Sequence, residues 1–189
     1  MNLKSLLAEP IIERLRPNQV VGAGTGTTVT AILKVLGKEP SLVPEGVVFV
    51  PTSLDTAWTL ERFNLPQKPL NSVSYIDWSF DGADEVDNEL NALKGQGGAL
   101  LKEKIAAELS KHYVLVVDKS KLVPSLGFKT LVPVEVIPDA LFLAKEKLKE
   151  LSKEVTLRSA SKKHGAVITE NGNLLIDIKL SNISSETAD

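Results

Sequence analysis

The chain has 189 residues, a formal net charge of −2, 43% hydrophobic and 24% charged residues, and no cysteine. That length can bury a core as one domain or as a large and a small one, and the near-neutral charge gives no electrostatic basis for nucleic acid or an anionic membrane. The lack of thiols excludes disulfides, cysteine nucleophiles and cysteine-ligated metals.

Leu3, Leu6, Leu7, Ile11, Ile12 and Leu15 recur at helical spacing, with Pro10 expected to bend or interrupt the helix. Glu9, Pro10 and Glu13 break any apolar run at the start, so no secretory signal is expected and the cytoplasm is the default location. Gln19–Gly22 reads as a short buried strand. A glycine-rich turn follows, then a helix from about Thr28 to Leu36, closed by Gly37. Val47–Val50 is the next strand, and Ser53 or Asp55 opens another helix. Tyr75–Phe80, a helix from about Gly98 to Leu109, and Tyr113–Val117 continue the alternation. Strands separated by such helices predict a Rossmann-like, doubly wound parallel α/β sheet over residues 1–128. Ligands bind beyond the carboxyl ends of strands in such sheets. Gly22–Thr28, Pro51–Ser53, Asp81–Asp84 and Asp118–Lys121 all follow strand ends.

Beyond about Lys129 the pattern changes. Leu131–Pro138 reads as a strand held between prolines, Ala140–Leu151 as a helix and Val155–Arg158 as a strand. Ala166–Thr169 and Leu174–Ile178 read as a β-hairpin around Asn171-Gly172. This predicts a smaller α+β domain over 129–189.

Chemistry concentrates at residues 81–104. Asp81 and Asp84 end a strand-like run, Lys94 precedes a glycine-rich turn, and a helix pattern then carries Glu103. Polar anchors, a cation and a candidate base are the parts that acid–base chemistry on a small polar substrate needs. The plainer alternative is an acidic turn followed by a solvated helix. Gly22-Ala-Gly-Thr-Gly-Thr-Thr28 offers glycines, threonine hydroxyls and helix-start N–H groups that suit an anion; its alternative is a tight, threonine-capped turn. It is neither a Rossmann fingerprint, because Thr27 stands at the third glycine position, nor a Walker loop, because no Gly-Lys-Ser/Thr follows. The acids of 81–87 lack the spacing of a calcium loop. His112 and His164 lack ligand spacing, so no metal is expected. Trp58 and Trp78 are both expected in the core.

In order, Gly22-Ala-Gly-Thr-Gly-Thr-Thr28, Pro51-Thr-Ser53, Asp81-Gly-Ala-Asp-Glu85, Lys94-Gly-Gln-Gly-Gly-Ala-Leu-Leu-Lys-Glu-Lys104, Asp118-Lys-Ser-Lys121 and Pro133-Val-Glu-Val-Ile-Pro138 closely resemble ribose-5-phosphate isomerases of the A type. Each motif alone is weak; six in order are specific. The resemblance runs from near Lys4 to about Asp177. It implies interconversion of ribose 5-phosphate and ribulose 5-phosphate in the pentose phosphate pathway, without metal or organic cofactor, by a cytosolic homodimer or homotetramer.

By position, the resemblance implies that Glu103 is the proton-shuttling carboxylate, with Lys94, Asp81 and Asp84 as its catalytic companions. Thr25, Gly26, Thr27 and Thr28, then Asp81, Gly82, Ala83 and Asp84, then Lys94, Gly95, Gln96 and Gly97, and Lys121 match its substrate-binding segments. Lys4 matches an N-terminal phosphate-contacting lysine. Gln96 stands where a third consecutive glycine is common, and Thr27 where serine is common. The family continues past the Asn171-Gly172 hairpin, whereas this sequence closes on a polar stretch at Asp189. An incomplete small domain is therefore expected, with Val134, Val136, Ile168, Leu175 and Ile176 exposed. The competing readings are a related-fold enzyme such as a sugar-phosphate deaminase or acyl-CoA transferase, and a non-catalytic sugar-phosphate binder or inactive fragment.

Overall fold

The computed structural model describes residues 3–180 and 183, with side chains from Leu6 onward. In chain order the helices and strands are α1 (Leu3–Ile12), β1 (Val20–Ala23), α2 (Thr27–Lys38), β2 (Val48–Pro51), α3 (Leu54–Arg62), β3 (Trp78–Asp81), β4 (Glu85–Val86), β5 (Ala92–Leu93), α4 (Leu100–Leu109), β6 (Tyr113–Leu115), β7 (Val132–Val136), α5 (Leu141–Leu151), β8 (Val155–Leu157) and β9 (Leu174–Ile178). Two compact units result: Met1–Gly82 with Leu101–Val117, and Ala83–Leu100 with Asp118–Asp189.

The first unit is built on a parallel sheet in the order β2-β1-β3-β6. Alternation along each strand sends Val21, Ala23, Phe49, Trp78 and Phe80 to one face. There they form one core with Ala8, Ile11 and Leu15 and with Val29, Ile32, Leu33 and Leu36 of α2. Val50, with Val20 packed beside it, faces the other way and meets Ile76 and Ala106 of α4. Helices thus cover both faces, as the doubly wound reading predicts. Burying each large aliphatic side chain of these clusters stabilises the fold by about 1.5–3 kcal/mol.

Three local expectations are corrected. Pro10 does not interrupt α1, which runs through it to Ile12. Gly37 does not end α2; the helix runs through it to Lys38. A Cβ on Gly37 would fall 2.2 Å from the Phe63 side chain, so the glycine serves close packing rather than a left-handed cap. Trp58 is 67% exposed, because Thr56 and Leu60 form the buried face of α3 and a residue two positions on points away from it.

The second unit holds the β4–β5 antiparallel pair and a three-stranded antiparallel sheet in the order β7-β9-β8. It contains the segment from 129 onward and adds 83–100 and 118–128. The Asn171-Gly172 turn is present, with the Thr169 N–H donating to the Asn173 carbonyl. Beyond the Ile168–Leu174 bridge, however, β9 pairs with β7 and β8. As the central strand it is covered: Leu175 and Ile176 are 0% exposed, against the expectation of exposure. Val134 and Val136 are half-buried and Ile168 is exposed.

Candidate active site

In the first unit the polar residues gather at the carboxyl ends of β1, β2 and β3. Gly26, at φ 122, turns the chain into α2, and no side chain caps that helix. Its first-turn N–H groups, with Thr27 exposed and Thr28 half-buried beside them, retain the anion-binding character of a helix start. The loop before it is braced by hydroxyls. Thr56 Oγ1 donates to the Gly24 carbonyl at 2.7 Å, Thr52 Oγ1 to the Ala23 carbonyl at 3.3 Å, and Thr25 Oγ1 lies 3.0 Å from Thr52 Oγ1. Ser53 caps α3 by accepting from the Thr56 N–H at 3.1 Å.

Asp81 is 1% exposed at the end of β3. Its Oδ1 accepts from the Gly82 N–H at 2.7 Å and the Thr25 N–H at 3.3 Å, and its Oδ2 from the Tyr113 hydroxyl at 3.1 Å. The glycine at 24 is sterically required: a Cβ there would lie 2.0 Å from the Asp81 carboxyl carbon. Glu103 lies in the first turn of α4 and is 6% exposed. Burial, then the negative charges of Asp81 and Glu103, push the Tyr113 phenol far above its ordinary value, so it is a neutral donor. Tyr113 thus brings the two sequence-predicted carboxylates into one electrostatic neighbourhood.

The remaining predicted residues belong to the second unit. The β4–β5 ladder ends with the pairing of Glu85 and Leu93, and Asp84 and Lys94 are the residues that flank that end. Asp84 donates its N–H to the Leu93 carbonyl at 2.8 Å and accepts the Gln96 N–H on Oδ2 at 3.0 Å. Lys94 is half-buried, and Gln96 and Gly97 are exposed. The glycine turn is held from below. Arg158 Nη1 donates to the Gly95 and Gln96 carbonyls at 3.1 and 3.0 Å, and its Nε and Nη2 form a fork on Asp177. Gln96 Nε2 donates to the Leu131 carbonyl at 2.7 Å. Lys121 closes a single helical turn at 119–121 and is half-buried. The Lys4 side chain lies outside the described residues.

Sequence reasoning missed Thr52, Thr56 and Tyr113 as supports of the polar cluster in the first unit, and the Arg158–Asp177 pair as the support of the glycine turn in the second. Arg158→Lys keeps the charge but not the planar fork. We expect it to lower the unfolding free energy by about 1–3 kcal/mol, read by urea denaturation. An unchanged midpoint and slope would remove the pair as a support of the turn.

The family model of ribose 5-phosphate isomerase A (phosphoriboisomerase A) matches residues 48–189. Ribose-5-phosphate isomerase A of Prochlorococcus marinus (strain MIT 9211) is 38% identical over 177 residues, covering 93% of this chain and 75% of the relative. A solved D-ribose-5-phosphate isomerase in complex with phospho-erythronic acid superposes with a TM-score of 0.90 at 37% identity, covering 98% of this chain and 82% of that one. Ribose 5-phosphate isomerase A from Methanocaldococcus jannaschii gives a TM-score of 0.87 at 36% identity, covering 97% and 81%. The chain belongs to the ribose 5-phosphate isomerase A family.

Proposed function

We infer that the protein interconverts D-ribose 5-phosphate and D-ribulose 5-phosphate through a cis-enediolate, in the non-oxidative pentose phosphate pathway. The observation that carries this reading is the buried pair of carboxylates, Asp81 and Glu103, gathered around the neutral Tyr113 phenol on a chain of this family. The relative solved with phospho-erythronic acid supports it. That molecule joins a phosphate to a carboxylate, a planar anion comparable with an enediolate.

In the proposed mechanism Glu103 takes the proton from C2 of the open-chain aldose. The C–H electrons form the C1=C2 bond and the carbonyl electrons move to the C1 oxygen. The C2 hydroxyl proton passes to the C1 oxygen, its O–H electrons form the carbonyl at C2, and the C=C electrons take the carbon-bound proton back from Glu103 at C1. A single carboxylate can serve both carbons because they are adjacent and the base need shift only slightly. Lys94 neutralises the enediolate oxygen, together with N–H groups of the Gly95–Gly97 turn. Asp81 and Asp84 hold sugar hydroxyls and assist ring opening, with the backbone of Gly82 and Ala83 shaping that segment. Thr25–Thr28 and the start of α2 take the phosphate, whose binding energy orients the reacting end. Lys121 and Lys4 add positive charge for the phosphate or a hydroxyl. The chemistry calls for no metal or organic cofactor, because Lys94 supplies the cation that the enediolate needs. Among the described residues no helix is long and apolar enough to cross a membrane. We place the protein in the cytoplasm, as a homodimer or homotetramer, on the pattern of its family.

Ketopentose formation from ribose 5-phosphate tests the reading, and we expect the same rate with and without a chelator. Activity abolished by chelation and restored by a divalent ion would contradict the cofactor-free mechanism. Saturable binding without turnover would replace the isomerase with a sugar-phosphate binder.

A further inference from the structure

We propose that Tyr113 is a positioning residue of this active site, fixing the Asp81 carboxylate through its hydroxyl. Tyr113 opens β6 and pairs with Ser79 of β3, two residues before Asp81. The side chain therefore runs beside the end of β3, and its hydroxyl reaches Asp81 Oδ2 at 3.1 Å. The opposite oxygen is met by backbone, the N–H groups of Gly82 and Thr25. Gly24 leaves the room that the carboxyl fills. Both oxygens of Asp81 are thus engaged, one by main chain and the other by a side chain.

The chemistry of that side chain suits the task. A phenol has one proton to donate, and here burial and the charges of Asp81 and Glu103 keep that proton in place. It therefore donates to Asp81 throughout the physiological pH range. Held on both oxygens, the carboxylate cannot rotate about its Cβ–Cγ bond without breaking hydrogen bonds. A sugar hydroxyl then meets it in one geometry. Small misplacements of a positioning group lower turnover disproportionately, so the hydroxyl should matter to kcat more than to ground-state binding.

The inference rests on the reading that Asp81 acts on the substrate, and the test separates the two. Tyr113→Phe keeps the ring and deletes the hydroxyl. We expect kcat to fall about tenfold with KM changed less than about twofold, as for lost transition-state interactions, while circular dichroism and the melting curve show the variant fully folded at the assay temperature, with the midpoint lowered only by the loss of one buried hydrogen bond. In Asp81→Ala, followed at high enzyme concentration, adding Tyr113→Phe should change the residual rate less than about twofold, because the hydroxyl no longer has its partner. Unchanged kcat in Tyr113→Phe, beside an impaired Asp81→Ala, would overturn the role of Tyr113 alone. A tenfold loss in both backgrounds would also overturn it, since the hydroxyl would then act elsewhere, as would a loss matched by a smaller folded fraction. Full activity in Asp81→Ala would overturn the reading of Asp81 and the inference with it.

Discussion

Glu103→Gln is expected to lower kcat by about 10²–10⁴-fold, the usual contribution of a positioned general base. That corresponds to about 2.7–5.5 kcal/mol of transition-state stabilisation. Glutamine has the size of glutamate and keeps one carbonyl oxygen as an acceptor, so the packing of the first turn of α4 should survive. What it lacks is a site that takes a proton from carbon. Glu103 is buried and shares its neighbourhood with Asp81 through Tyr113, so bulk water is poorly placed to substitute for it. KM should change little, because the carboxylate meets its proton only as the C–H bond breaks. Initial rates with ribose 5-phosphate, beside a melting curve to show the variant is folded, make the measurement. A folded variant that kept most of its turnover would transfer the base role to another group, with Asp81 first in line.

Much of this was legible in the sequence, and the limits have a common physical origin. The alternation of strands and helices in the first half could be read because α2 carries an apolar stripe at a 3.6-residue period and β1, β2 and β3 each a short buried run. The candidate site residues stand in contiguous polar and glycine-rich motifs after strand ends, and of these the structure gathers Asp81 and Glu103 around Tyr113. Partners distant along the chain could not be read. Tyr113 reaches Asp81 across 32 positions, Arg158 reaches Gly95 across 63, and Glu85 meets 127–130 across 42 to 45. No local period encodes such pairings. The same reason explains Gly37, whose neighbour Phe63 belongs to the next helical region. It explains Leu175 and Ile176 as well: a hairpin reading gave β9 one neighbour, and the sheet gives it two. The second unit also gathers two stretches separated in sequence, 83–100 and 118 onward. A change in composition can mark only one boundary along a chain.

Of these distant pairings, Glu85 should matter most to stability. Its side chain is fully buried. Oε1 accepts the Lys129 and Thr130 N–H groups at 2.6 and 2.7 Å, and Oε2 those of Gly127 and Phe128 at 2.7 and 3.2 Å. One carboxylate thus satisfies four consecutive backbone donors in the segment that leads into β7. Glu85→Gln would turn one oxygen into an N–H₂ group aimed at two donors. Each buried donor left without an acceptor costs about 1–3 kcal/mol, so we expect a loss of about 3–5 kcal/mol, a large share of a typical 5–15 kcal/mol. The pH dependence follows from the same geometry. Burial pushes the carboxyl up, but the N–H groups of Lys129, Thr130 and Gly127 outweigh it and hold Glu85 below its ordinary 4.5. A lowered folded-state value means a stabilisation fully present above the unfolded value and lost as pH falls through the folded one. Urea denaturation of the wild type should therefore show stability declining below about pH 4.5, and the glutamine variant should decline less steeply over the same range. Parallel curves for the two proteins, or equal stability at neutral pH, would mean that the segment holds its shape without the Glu85 charge.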